Sequence, residues 1–246
     1  MSVESLTLDQ RKWQLFTPFL VDIPQGYTKE TIWDYRLWEA REHFKYFNYQ
    51  ERFPPDKFPR MLMIGAGTGA EIKAAQEYGY HPIGVGLLNP DQVEYAHQKG
   101  VDFRVMDMHD LKFPNESFDI VFSKYSFEHC VNPWLAVMEA YCVLRPYGRW
   151  WNAMGVYKVG PDSDGPKHQH FMVLPEWFLA PLFRRTGFRV LHWENSETRY
   201  QCLLERLPLE QITEEGSIVQ LIRKRLELGK EYEQNTPMDV QHSSWC

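Results

Sequence analysis

The sequence predicts an α/β domain: a mostly parallel sheet with helices on both faces and an antiparallel last strand. Three observations carry this. Arg60-Met-Leu-Met-Ile-Gly-Ala-Gly-Thr-Gly-Ala-Glu-Ile72 reads as a buried apolar strand, a glycine-rich turn and the start of a helix. From Arg60 to Met154 strand and helix patterns alternate, the order that produces parallel strands. Phe188–Trp193 and Thr198–Leu204 then form two strand-like runs around Glu194-Asn-Ser-Glu197, which suits a hairpin at the sheet edge.

In order along the chain, Lys29 to Phe47 predicts a helix, with Trp33, Leu37, Ala40 and Phe44 on one face. Phe53-Pro-Pro-Asp-Lys-Phe-Pro59 ends it and marks a boundary. Strands follow at Met61–Ile64, Pro82–Val85, Asp102–Met106, Phe118–Ser123 and Arg149–Met154. Helices are expected at Ala70–Tyr78, from Asn89-Pro90-Asp91 to Lys99, and from Asn132-Pro133 to Leu144; each Asn is a natural N-cap and each Pro fits the first turn. With the two hairpin runs, the strands number seven. Gly155 to Leu174 has no clear period and reads as a long loop, more often functional than idle. A helix at Pro175–Thr186 and a tail helix at Ser217–Tyr232, striped by Ile218, Leu221, Ile222 and Leu226, complete the chain. The predicted divisions are 1–59, 60–206 and 207–246.

With 43% hydrophobic and 24% charged residues, the 246-residue chain has the balance of a globular protein with a sizeable core. A net charge of −6 disfavours nucleic acid, and Arg184, Arg185 and Arg189 read as a solvated helix end. Cys130, Cys142, Cys202 and Cys246 show no close pairing, as expected of free thiols in a reducing compartment. No apolar run is long enough for a bilayer and no signal peptide is visible, so no membrane contact and a cytoplasmic location are expected.

Three glycines in five residues, Gly65, Gly67 and Gly69, weaken a chain unless something must approach its backbone. Gly65-x-Gly67-x-x-Ala70 also fits the dinucleotide-binding pattern. About twenty residues on, where such folds place a ribose-binding acid, stands Gly86.

The chain resembles the class I S-adenosylmethionine-dependent methyltransferases, in particular the small-molecule branch of ubiquinone, menaquinone and sugar methyltransferases. The resemblance rests on Met63-Ile-Gly-Ala-Gly-Thr-Gly69, Gly84-Val-Gly-Leu87, Val105-Met-Asp-Met108 and Leu111 to Phe122, followed by Phe127-Glu-His-Cys-Val-Asn-Pro133, Val143-Leu-Arg-Pro-Tyr-Gly148 and Arg185-Thr-Gly-Phe188. It implies a Rossmann-like seven-stranded fold, S-adenosylmethionine as cofactor and a small-molecule methyl acceptor, most simply a hydroxyl. It places the cofactor's methionine part against Gly65, Ala66, Gly67 and Gly69. The ribose falls beside Gly86, and the adenine between Leu87 and Met108, with Asp107 accepting from its amine. Ser123 to Phe127 would face the sulfonium, where Tyr125 or Phe127 can offer a π face.

A hydroxyl acceptor needs a base. His129, in the family-like Phe-Glu-His stretch, and His168 and His170, in the long loop, are the candidates. No third ligand stands near His168 and His170, so a metal is not expected. The aromatic N-terminal helix reads as a lid over the cofactor, as core packing, or as a homodimer contact. The family commonly has an acid at Met63 and another at Gly86. Their replacement supports the alternative of a non-catalytic or repurposed member binding a partner or an altered nucleotide.

Overall fold

The computed structural model describes residues 28–88, 90–155, 175–196, 199–212 and 217–235. A seven-stranded sheet in the order β3-β2-β1-β4-β5-β7-β6 forms its centre. The strands are β1 Arg60–Ile64, β2 His81–Gly86, β3 Phe103–Val105, β4 Phe118–Lys124, β5 Leu144–Gly155, β6 Phe188–Asn195 and β7 Arg199–Arg206. The longer helices are α1 Lys29–Tyr46, α2 Ala70–Glu77, α3 Pro90–Gln98, α4 Pro133–Val143, α5 Glu176–Arg185 and α6 Ser217–Asn235. From β3 to β5 every pairing is parallel, whereas β7 runs antiparallel to both β5 and β6.

β1 is apolar because neighbours flank it and both its faces are covered. Met61 and Met63 join a core with Trp33, Ile72, Phe122 and Trp151, under α1, α2 and α3. Leu62 and Ile64 join the other, with Phe127, Trp150, Leu182 and Ile222, under α4, α5 and α6. Phe122 stacks on Trp151 at 4.9 Å and Phe44 on Phe122 at 5.9 Å, so much of the aromatic content fills the core.

Thr28 starts α1: Thr31 N donates to Thr28 Oγ1 at 3.2 Å, and Thr28 N donates to Thr31 Oγ1 at 2.9 Å. Of the predicted stripe, Trp33, Ala40 and Phe44 are buried and Leu37 is half-buried, while Tyr35, Trp38 and Tyr46 face outward. The expected cap Asn89 lies outside the described residues. β5 begins at Leu144, five residues earlier than expected. Arg145-Pro-Tyr-Gly148, expected between the helix and the fifth strand, is an irregularity within that strand: Tyr147 has φ of 62°, and the register with β4 shifts between Phe118 and Ile120. Among the described residues no helix is long and apolar enough to cross a membrane. Cys130, Cys142 and Cys202 are free and buried.

At the N-terminal edge of the sheet, buried Asp119 accepts from Arg60 N at 2.8 Å and from the Arg60 guanidinium at 2.9 Å, and pairs with Arg145 at 2.5 Å. Burial pushes this carboxyl up, but Arg60 and Arg145 outweigh that and hold it below its ordinary value. A folded-state pKa below the unfolded one gives stability that is present above the unfolded value and lost as pH falls through the folded one. Asp119→Asn should therefore cost about 1–3 kcal/mol near neutrality. It should also flatten the decline of stability in acid, read by urea unfolding from roughly pH 3 to 7.

Candidate functional site

The strand order reverses between β1 and β4, and the carboxyl ends of β1 to β4 meet at this switch point, where ligands bind in open α/β sheets. The glycine turn hangs from β2: Gly65 N and Ala66 N both donate to Val85 O, at 2.8 and 3.2 Å. Gly65, Gly67 and Gly69 have φ of 70°, 50° and 89°, the left-handed region that favours glycine. Their other reasons differ. A Cβ on Gly65 would lie 2.2 Å from Ser126 Cβ, and one on Gly69 3.1 Å from Val101. On exposed Gly67 it would meet nothing within 4 Å. Among the described residues, neither the Gly67 nor the Thr68 N–H has an intramolecular acceptor. Open donors beside the start of α2 suit the carboxylate of an amino-acid-like ligand.

At the end of β2, Gly86, Leu87 and Leu88 are half-buried, and a Cβ on Gly86 would point at Phe103 Cζ, 3.3 Å away, and Gly65 Cα, 3.7 Å away. Beyond β3, Asp107 and Met108 are also half-buried. Asp107 Oδ1 accepts from His109 N at 3.0 Å and from His109 Nδ1 at 2.6 Å. Asn132 N points at His109 Nε2 from 3.2 Å, which makes Nε2 the acceptor and puts the ring proton on Nδ1. His109 thus ties the β3 end to the start of α4, orienting Asp107.

The β4 end is tightly held. Ser123 is buried, its hydroxyl donating to Asn152 Oδ1 at 2.7 Å and accepting from Trp150 Nε1 at 2.9 Å. Tyr125 has φ of 51°, and Ser126 Oγ donates to Ile64 O at 2.9 Å. A 3-10 turn, Phe127–His129, follows. Lys124 Nζ, nearly buried, bridges Glu39 of α1 at 3.2 Å and Glu71 of α2 at 3.4 Å. Burial raises the Glu71 carboxyl, with Lys124 opposing it. Nearby His43 is held neutral: burial, then the charges of Lys124 and Arg199, lower it to about 3. A separate hollow of about 510 Å³, lined by Tyr147, Arg206 and Leu209 among others, opens at the opposite edge of the sheet.

Residues 62–151 match the methyltransferase domain family. Over this stretch the chain carries a methyltransferase domain. It is 29% identical over 61% of its length to phosphoethanolamine N-methyltransferase 2 of Caenorhabditis elegans, covering 38% of that protein. It is 33% identical over 43% of its length to 27-O-demethylrifamycin SV methyltransferase of Amycolatopsis mediterranei, covering 41%. The chain thus spans about two fifths of the length of these relatives. The crystal structure of the PH0226 protein from Pyrococcus horikoshii superposes with a TM-score of 0.56 at 18% identity, over 78% of this chain and 98% of that one, a likeness of fold.

In this methyltransferase domain Gly65, Ala66, Gly67, Gly69, Gly86, Leu87, Asp107 and Met108 come together around one edge of the sheet. Ser123 is at the same edge, but its hydroxyl is committed to Asn152 and Trp150. His129 is half-buried in the turn after β4, and its N donates to Ser126 O at 3.0 Å. His168 and His170 lie outside the described residues. Met63 is buried in the core beneath the glycine turn. Within the described residues no group of three or more His, Cys, Asp or Glu is placed to hold a metal. His109 and Glu128 are the polar side chains of this edge that sequence reasoning passed over; only the Asp-x-His spacing hinted at the first.

Proposed function

We propose that the domain transfers a methyl group from S-adenosylmethionine to a nucleophile, most simply a hydroxyl, on a small molecule. The observation that carries this is the glycine turn at the switch point, with Gly67 open to a ligand, its N–H and that of Thr68 free, and Asp107 oriented across from it. The turn would hold the methionine end and Leu87, Met108 and Asp107 the adenine, a flat apolar slot with one acceptor. The cofactor supplies an electrophilic methyl group; the chain's part is to orient the acceptor and exclude water from it. The rifamycin relative's name, an O-demethyl substrate, supports an oxygen acceptor.

Titration calorimetry with S-adenosylmethionine and S-adenosylhomocysteine tests the reading. Micromolar binding of both is expected, and Asp107→Ala should weaken both about tenfold. No heat at high micromolar ligand would sink it. Binding without methyl transfer across a panel of phenols, sugars and amines would favour the rival, a repurposed member of the family, for which Met63 and Gly86 speak.

A further inference from the structure

Glu128 stands in the turn after β4, one residue before His129. Its side chain is 1% exposed. Oε1 accepts from Gly155 N at 2.9 Å, at the carboxyl end of β5. Oε2 is equally buried and accepts no hydrogen bond from the described residues. Leaving a buried carboxyl oxygen without a donor is costly, and such an atom in a folded protein asks for an explanation. The packing that buries it is specific to the cofactor edge. Two residues earlier, Ser126 lies against Gly65, and Gly155 is the register partner of Arg199.

The surrounding groups do not neutralise it. Lys124, on β4, is shared by Glu39 and Glu71. Tyr125 is 40% exposed, and the Cys130 thiol is pushed up by burial to about 12. His129 adjoins it on its own turn, and Arg199 lies across β5 on β7. Burial raises the Glu128 carboxyl to about 7, with the Gly155 N–H and its own backbone N–H opposing more weakly.

We propose that Glu128 is the proton acceptor of the methyl-transfer site, with Oε2, unpaired among the described residues, as the atom that takes the proton. This rests on the cofactor reading above. The acceptor oxygen bonds to the methyl carbon, the carbon–sulfur bond breaks with its electron pair passing to sulfur, and the hydroxyl proton goes to Oε2.

The sulfonium of S-adenosylmethionine is positive, and a nearby cation favours a carboxylate. The demethylated product lacks that charge; because the sulfonium also acidifies the cofactor's own amino group, the part of any difference that belongs to Glu128 is the part lost with its carboxyl. Calorimetric titrations of the full chain near neutral pH, in phosphate and in Tris, give the protons released on binding each ligand. S-adenosylmethionine should release more than S-adenosylhomocysteine by several tenths of a proton, a difference that fades above roughly pH 8, where Glu128 is already ionised. Glu128→Gln, whose carbonyl can still accept from Gly155, should bind both ligands and lose that extra release. A wild-type difference between the two ligands no larger than that of Glu128→Gln overturns the assignment while leaving the cofactor reading intact. Glu128→Ala supplies the same comparison if the first variant does not fold. Failure of both ligands to bind overturns the cofactor reading and this assignment with it.

Discussion

Gly65→Ala is expected to lower the melting temperature by roughly 10 °C and to abolish cofactor binding, whereas Gly67→Ala should lower it by only a few degrees. At both positions the new side chain must adopt a left-handed conformation, at about 1–2 kcal/mol. Only at Gly65 does it also collide. Its Cβ would lie 2.2 Å from Ser126 Cβ and 2.8 Å from Ser126 Oγ. Ser126 cannot retreat freely, because its hydroxyl is bonded to Ile64 O and the next three residues form the buried 3-10 turn. Forcing the contact pushes β4 and the glycine turn apart, adding roughly 1–3 kcal/mol of overpacking. Gly67 faces open space, so its variant isolates the ligand's need for close backbone approach. Thermal unfolding and titration of each variant with S-adenosylhomocysteine read the two effects separately. Equal melting temperatures for the two variants would show that the Gly65–Ser126 contact is not rigid.

The same contrast shows what the sequence can disclose. The seven strands and their mostly parallel arrangement were legible because apolar periodicity and turn residues act over a few neighbours. The glycine turn was legible because few causes put three glycines in five residues. Tyr147 defeated the reading of β5: Pro146-Tyr147-Gly148 has turn composition and pairs with neither β4 nor β7, yet pairing on either side of it, at Leu144 and from Arg149 on, makes one strand of the whole. Glu128 was hidden for a different reason. Its significance comes from a bond to Gly155, 27 residues away, and from an oxygen left without a donor. His109 gains its role from Asn132, 23 residues away. Ser123 shows the converse limit, since position at a strand end does not disclose which partner takes a hydroxyl. Local pattern thus located the edge where the chemistry is proposed, while side-chain roles depended on long-range packing.

Gly86→Asp should tighten binding of both S-adenosylmethionine and S-adenosylhomocysteine by tenfold or more, because both carry the same ribose. The missing side chain would leave the end of β2 beside Gly65 Cα, along the wall of the proposed cleft. A carboxylate there can accept from both ribose hydroxyls, and hydrogen bonds to a charged group contribute roughly 1.5–3 kcal/mol each. Part of that gain is offset locally. The new Cβ approaches Phe103 Cζ at 3.3 Å, and Phe103 is buried, so its ring must give by a few tenths of an ångström. A melting temperature a few degrees lower in the absence of ligand is the expected price. Gly86→Ala separates the terms, since it carries the crowding without the carboxylate: it should lose the same stability and gain no affinity. If Gly86→Asp binds no more tightly than Gly86→Ala, the ribose hydroxyls are already satisfied by another group. The glycine would then be an accommodation to Phe103 rather than the loss of a contact. A gain confined to the aspartate would mean that the wild-type domain holds its cofactor chiefly by the glycine turn and the adenine slot, which makes the open N–H groups of Gly67 and Thr68 correspondingly more important.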